Sequence, residues 1–375
     1  ANGDVKCWGQ NTSGQLGDGT TSNSAVPVAV TLGAPAVEVS AGRNHTCALL
    51  DTGEARCWGL NSSGQLGSGN TTDSSTPVTV LPASPSIAPA MTLITSIAAG
   101  GSHTCFLKSD KTVECVGNNL SAQLGDGTIV SNSRAVVSLF TADAIVAGDS
   151  HSCAMLAGAV KCWGLNSSGQ LGDGSTNSTL IGSTVSTVTT AVSLSAGTNH
   201  TCAVLLSGTA VCWGANGAGQ IGDGSTTNRT IATAAGGATS LGTIAAASAH
   251  TCVLTSAGQV QCWGANTNAE RGNASLNTVG LQLGDAPAAP TSVVATPAPT
   301  SATVSWTPGV NNGARITSYT VTSNPVGGTC VSTSATTCTV LGLTNGTPYT
   351  FTVTATNFFG TSAASTASLS VTPAG

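Results

Sequence analysis

The stretch His45-Thr-Cys-Ala-Leu-Leu50, Asp51-Thr-Gly53, Glu54-Ala-Arg-Cys-Trp-Gly59 decides the fold. An apolar run meets an Asp-Thr-Gly turn signal and returns through a second short apolar run, which is the pattern of a β-hairpin. Successive side chains of a strand point to opposite faces. His45, Cys47 and Leu49 therefore share one face, and Trp58 lies on the face opposite to Cys57. Apolar groups on both faces predict a sheet that is covered on both sides.

The hairpin recurs along the chain. Cys-Trp-Gly begins at Cys7, Cys57, Cys162, Cys212 and Cys262, and the variant Cys115-Val-Gly117 fills the gap. The steps between copies are 50, 58, 47, 50 and 50 residues. His-Ser/Thr-Cys begins at His45, His103, His151, His200 and His250, which are all the histidines of the protein. A third string, Asn11-Thr-Ser-Gly-Gln-Leu-Gly-Asp-Gly19, has copies at 61–69, 119–127, 166–174 and 216–224 and a decayed one at 266–272. Shorter strand candidates lie between the hairpins at 26–30, 37–40, 78–81 and 94–98. About four short strands per unit of about fifty residues is the signature of a β-propeller blade.

The order His-Thr-Cys-Ala-Leu, turn, Cys-Trp-Gly-x-Asn-x-x-Gly-Gln-Leu-Gly-x-Gly resembles the repeat of the regulator of chromosome condensation. The resemblance covers residues 1 to 285 and recurs six times. It implies an all-β fold, a propeller of the seven-bladed type of which about six blades are visible. The chain departs from the family repeat by carrying a cysteine pair in each hairpin. It also matches only a return strand at Asn2-Gly-Asp-Val-Lys-Cys-Trp-Gly9, so the expectation is a chain that starts inside a blade and belongs to a longer polypeptide.

Twelve of the 13 cysteines fall into close pairs: Cys47 with Cys57, Cys105 with Cys115, Cys153 with Cys162, Cys202 with Cys212, Cys252 with Cys262, and Cys330 with Cys338. Cys7 is left unpaired. Each of the first five pairs flanks a hairpin turn on one face, where cross-strand Cα distances of about 5 Å suit a disulfide. Zinc is the other reading, since His45, Cys47 and Cys57 share a face, but no fourth ligand follows. Repeated disulfides predict an oxidising compartment, secreted or at the cell surface.

Composition shifts at Asp285-Ala-Pro-Ala-Ala-Pro290, read as a linker over 286–290. Beyond it, Thr303-Val-Ser-Trp306, the alternating run 316–322, and Tyr349 before the strand 350–357 resemble a fibronectin type III domain over 291–375. The resemblance makes Trp306 the core tryptophan and Tyr349 the corner tyrosine.

Charged residues make up only 7% of the chain, against about 25% in ordinary domains. Ten cations cannot build a phosphate-tracking stripe, which excludes nucleic acid as a partner. No apolar run approaches the ~18 residues of a membrane span. No catalytic site is expected: five histidines at one repeat position do one job five times, whereas an active site is a unique constellation. That job is read as hydrogen bonding to the backbone of the neighbouring blade. Asp18, Asp126, Asp173 and Asp223 recur in Gly-Asp-Gly, where a turn role competes with calcium binding. Sequons begin at Asn11, Asn44, Asn61, Asn70, Asn119 and Asn166 among others.

These observations predict no cofactor and no enzyme. The expected function is a secreted or cell-surface binding and adhesion module of a larger modular protein, with a protein or glycan ligand. The alternatives are a structural subunit of a surface filament, built by self-association, and a secreted hydrolase inhibitor. Nucleotide exchange on a small nuclear GTPase, the activity of the family's namesake, is disfavoured by the disulfide pattern and the acidic balance. Departures from the repeat, at Ala83–Thr92 and at Glu270-Arg271, are the expected places to look for contacts.

Overall fold

A computed structural model describes residues 3–82, 90–236, 239–256, 258–267, 277–282, 286–310, 316–333, 335–357 and 360–374, the backbone alone at 277–282. Residues 83–89 and 270–271, two of the departures from the repeat, lie outside the described residues, as does Asp285. The chain divides into two compact units, one of residues 1–256 and 261–281, the other of 257–260 and 282–375.

The first unit is built of antiparallel sheets. A two-stranded sheet comes first, β1 (Val5–Gly9) with β2 (Ser24–Val30), here called blade 1. Blade 2 holds β3 (Ala36–Ala41), β4 (His45–Leu50), β5 (Ala55–Gly59) and β6 (Ser74–Thr79). Blade 3 holds β7 (Ile94–Ala99), β8 (His103–Lys108), β9 (Thr112–Gly117) and β10 (Asn132–Thr141). Blade 4 holds β11 (Ala144–Ala147), β12 (His151–Leu156), β13 (Ala159–Gly164) and β14 (Thr179–Thr184). Blade 5 holds β15 (Ala191–Ala196), β16 (His200–Leu205), β17 (Ala210–Gly214) and β18 (Arg229–Ala234). Blade 6 holds β19 (Leu241–Ala246), β20 (His250–Thr255), β21 (Val260–Gly264) and β22 (Asn277–Gln282). In blades 2 to 6 the strands lie side by side in chain order, so every connection within a blade is a simple hairpin.

The hairpin of the repeat sits in the middle of each complete blade. Its register is set by the cysteines: Cys47 faces Cys57, Cys105 faces Cys115, Cys153 faces Cys162 and Cys202 faces Cys212. Disulfides join these pairs and Cys252–Cys262, at Cα separations of 4.0–4.1 Å. That spacing is closer than the ~5 Å expected and belongs to the pairs that exchange no backbone hydrogen bonds, which approach to about 4.5 Å.

The opposite face carries the tryptophans. Trp58, Trp163, Trp213 and Trp263 are buried between blades. Trp58, Trp163 and Trp213 share a cluster with an alanine, Ala48, Ala154 and Ala203, and Trp263 with Val253 at the same position. Blade 3 inverts the sizes. Val116 replaces the tryptophan, and Phe106 occupies the position of Ala48. Both are fully buried in the same cluster, so the volume is conserved while its owner changes.

The second unit is a two-sheet sandwich. One sheet is formed by β23 (Thr291–Ala298), β24 (Ser301–Thr307) and β27 (Thr337–Leu341), the other by β25 (Ser318–Asn324), β26 (Thr329–Ser332), β28 (Thr350–Asn357) and β29 (Gly360–Thr361). Trp306 and Tyr319 pack with ring centroids 5.1 Å apart in its core. The Tyr349 hydroxyl accepts the Thr344 N–H at 3.2 Å, the hydrogen bond that a corner tyrosine makes. Cys330 on β26 and Cys338 on β27 are joined, Cα atoms 6.2 Å apart, so this bridge ties the two sheets together and is not a cross-strand rung.

Candidate functional site

The turns between the first and second strands of the complete blades converge on a cavity of about 350 Å³. Gly42, Gly100, Gly148 and Gly197 line it at equivalent positions. Glycine is needed here because a Cβ on Gly42 would meet both the His45 ring and the Gly100 carbonyl. The turns are chained by backbone bonds. Arg43 N–H donates to the Gly100 carbonyl at 3.3 Å, Gly101 to Gly148 at 3.1 Å, Asp149 to Thr198 at 3.2 Å and Thr198 to Ala247 at 3.2 Å.

Two charged side chains stand at this mouth. Arg43 from blade 2 reaches past blade 3 to Asp149 of blade 4, with Nη2 and Oδ1 3.1 Å apart. The intervening position is Gly101, where a Cβ would collide with the Asp149 carboxylate. The mouth is thus polar and carries one cancelled ion pair. It offers backbone carbonyls, the hydroxyls of Thr198 and Ser248 and an exposed guanidinium to a ligand.

The histidines lie beneath the glycines, between blades. His45 Nε2 meets Thr104 Oγ1 at 2.8 Å, His103 meets Ser152 at 2.8 Å, and His151 and His200 meet Thr201 and Thr251 at 2.9 Å. Each hydroxyl also donates to a glutamine carbonyl, Thr104 to Gln65 at 2.9 Å and Ser152 to Gln123 at 2.9 Å. A hydroxyl has one hydrogen, so it accepts from Nε2–H, and the tautomer is settled. The expected bond to a neighbouring blade's backbone is therefore corrected: a hydroxyl stands between imidazole and carbonyl. The reason is that the side chain of Thr104 or its counterpart, on the second strand of the next blade, stands at the ring and carries the bond on to a carbonyl of the loop after the third strand of the histidine's own blade. The Nδ1 atoms of His45, His103, His151 and His200 are buried without a partner. Burial lowers the pKa to about 4 for His45 and His151, and to about 3 for His103 and His200, where neighbouring histidines add repulsion.

The cysteines that would join His45 as zinc ligands are joined to one another, so their thiolates are not available. The Gly-Asp-Gly loops are organised around an asparagine. Asn11 Nδ2 donates to the Thr20 carbonyl at 3.1 Å, the Ser22 carbonyl at 3.0 Å, Thr20 Oγ1 at 3.2 Å and Asp18 Oδ1 at 3.3 Å. Its Oδ1 accepts from Leu16 N–H at 2.9 Å. An amide thus fills the centre of the oxygen cluster that the calcium reading would give to a cation. Asn61, Asn119, Asn166 and Asn216 are fully buried in the same role. Four of the sequons therefore begin at structural asparagines, a distinction that a sequon pattern does not carry. Asn70 is exposed. The tryptophan of blade 1, Trp8, is 62% exposed, unlike its four counterparts.

A comparison with curated protein sequences finds no match. Among solved structures the chain is similar to yeast RCC1 (Prp20) in its crystal structure with Kap60, at 20% identity and a TM-score of 0.65 over 75% of this chain and 71% of that one. It is similar to Prp20p of Saccharomyces cerevisiae, described with its binding to Gsp1p and histones, at 20% identity and 0.65 over 75% and 73%. It is also similar to human WBSCR16, at 19% identity and 0.66 over 81% and 86%. At these identities the likeness concerns the fold. Residues 1–312 match the RCC1-like domain and residues 288–371 the fibronectin type III domain, so the chain belongs to the RCC1-like family and carries a fibronectin type III domain behind its propeller.

Proposed function

We propose that this chain is a non-enzymatic binding and adhesion module of a larger extracellular or cell-surface protein, the propeller serving as the interaction scaffold and the fibronectin-like domain as a spacer. The observation that carries this reading is the use made of the reactive side chains. Ten cysteines close five blades, and four histidines are consumed between blades at buried, uncharged positions. Disulfides persist in oxidising compartments, and two of the propeller neighbours are described with protein partners, one bound to Kap60 and one with its binding to Gsp1p and histones.

Binding of the labelled chain to arrays of secreted proteins and of glycans tests the reading. Saturable binding that Arg43→Glu weakens at least fivefold is the expected result. Acceleration of nucleotide release from a small GTPase, with no binding on either array, would overturn it. A filament subunit is the second reading. It is favoured by apolar side chains on the outer strands, Val137 and Leu139 on β10, Ile181 on β14 and Ile231 on β18, all exposed. Concentration-dependent filaments in negative-stain images would decide for it.

A further inference from the structure

The six bridges of this chain fall into two kinds by what surrounds them. Each propeller bridge joins the two central strands of a blade, with a further strand on either side. Nine of those ten cysteines are at most 1% exposed, and only Cys252 is half-buried. Their sulfurs lie among apolar side chains of the next blade, as those of Cys47 and Cys57 do with Ile97 and Phe106. A thiolate reaches such a sulfur only after blades separate.

The bridge of the second unit is open by comparison. Cys330 lies on β26 and Cys338 on β27, each the outermost strand of its sheet. Cys330 stands opposite Val321 and Cys338 opposite Val304, both fully buried. The two cysteines therefore lie on the inner faces, and the bridge spans them at one open side of the sandwich. Both are half-buried against the core cluster. Their neighbours along the strands, Thr329, Val331, Thr337 and Thr339, are all exposed. Residues 316–375 carry no charged side chain, so no neighbouring carboxylate repels an anionic sulfur.

We propose that the Cys330–Cys338 bridge is a thiol-exchange site, opened by a small dithiol while the propeller bridges stay closed, and that its opening parts β26 from β27. Exposed disulfides are the labile ones, whereas buried structural ones resist reduction. Among the described residues no ladder joins β26 to β27. Four residue pairs hold β26 to β25 and five hold β27 to β24, so each strand keeps its own sheet when the bridge is gone. Opening uncovers the edge of the core beside Val304 and Val321. The fibronectin-like module, and not the propeller, is then the part of the chain that responds to thiols around it. The site does not rest on the adhesion reading.

The exchange proceeds by two displacements. A thiolate of the dithiol attacks one sulfur of the bridge. A mixed disulfide forms as the Cys330–Cys338 bond breaks, and the other cysteine leaves with the electron pair and takes a proton from solvent. The second thiol of the reagent loses its proton to solvent, and its thiolate attacks the reagent's own sulfur in the mixed disulfide. The reagent departs as a cyclic disulfide, while the second cysteine keeps the electron pair and is protonated. The chain gains two electrons and the dithiol loses two.

Limiting dithiothreitol on the whole chain, carrying Cys7→Ser to remove the free thiol, tests the site. New thiols are trapped with iodoacetamide and located by peptide mass. Expected is labelling of Cys330 and Cys338 at least tenfold faster than of any propeller cysteine, at a rate proportional to dithiothreitol and unchanged by dilute urea. Hydrogen exchange should then quicken in β26 and β27 and stay the same in the propeller. Cys330→Ser with Cys338→Ser should show that exchange pattern without reductant. A propeller bridge opening as fast, a rate independent of dithiothreitol or rising with urea, or unaltered exchange in β26 and β27 would each overturn the proposal.

Discussion

His45 and Thr104, 59 residues apart, meet at 2.8 Å inside the protein, and the Thr104 hydroxyl passes its hydrogen on to the Gln65 carbonyl. Three groups from two blades are thereby satisfied at one buried point. The arrangement recurs at Ser152, Thr201 and Thr251. It links the blades more specifically than their apolar contacts, because a polar group left unpaired there has no access to water.

Thr104→Val keeps the shape and removes the hydroxyl. It strands the His45 Nε2–H and leaves the Gln65 carbonyl without this donor. A buried unsatisfied group costs about 1–3 kcal/mol, so a loss of about 2–5 kcal/mol is expected in urea unfolding. Thr104→Ser should cost less than about 1 kcal/mol, since Ser152 performs the same task one blade on. Equal losses for the two variants would rule out the hydroxyl as the cause.

The same histidines set an acid limit. Their folded pKa values, about 4 for His45 and His151 and about 3 for His103 and His200, lie below the unfolded value of 6.5. Below pH 6.5 the unfolded chain therefore binds more protons than the folded one. The stability is fully present above pH 6.5 and is lost as pH falls toward 4 and 3. The loss by pH 4 is on the order of 3 kcal/mol per histidine. Urea midpoints at pH 7, 5.5 and 4 should fall in that order, and His151→Gln should flatten the slope.

Thiol titration in denaturant should find one free thiol, Cys7, before reduction and 13 after it. Removing one hairpin bridge by Cys202→Ala with Cys212→Ala frees a loop of ten residues and should cost about 2–3 kcal/mol in the chain-entropy account. Thirteen thiols without reductant would remove the basis for an oxidising compartment.

The buried asparagines give a paired test. Asn166 donates to the Asp173 carboxylate at 3.2 Å, whereas Asn61 donates to the Ser68 hydroxyl at 3.3 Å. Asn166→Asp puts two carboxylates together and should destabilise more than Asn61→Asp at pH 7, by at least about 1 kcal/mol. Acidification should shrink that difference. Asp73 accepts the Asn61 backbone N–H at 2.7 Å, so an equal effect at both sites that acidification leaves unchanged would show that lost donation, and not charge, is responsible.

Blade 3 offers a size exchange. Val116→Trp alone should overpack the cluster that already holds Phe106, at about 1–3 kcal/mol. Adding Phe106→Ala recreates the pair seen at Trp58 and Ala48. It also gives the Gln65 carbonyl an indole N–H, as Trp58 donates to Gln15 at 3.0 Å. The double variant should therefore be more stable than Val116→Trp alone by thermal unfolding.

The strand alternation of residues 45–59 and the cysteine pairing were legible because each is written within about fifteen residues, where strand geometry alone relates the side chains, and the fifty-residue period because the same short strings recur. That reach carried the blade, the hairpin disulfides and the two domains. The partner of each imidazole was not legible. Repeats of near-identical sequence contain no mark that says which hydroxyl faces which ring, and the contact exists only after one blade is rotated against the next. The same holds for Arg43 and Asp149, which meet because Gly101 leaves room between them. It holds also for Cys330 and Cys338, whose spacing of eight fits a hairpin, although sandwich folding places them on different sheets.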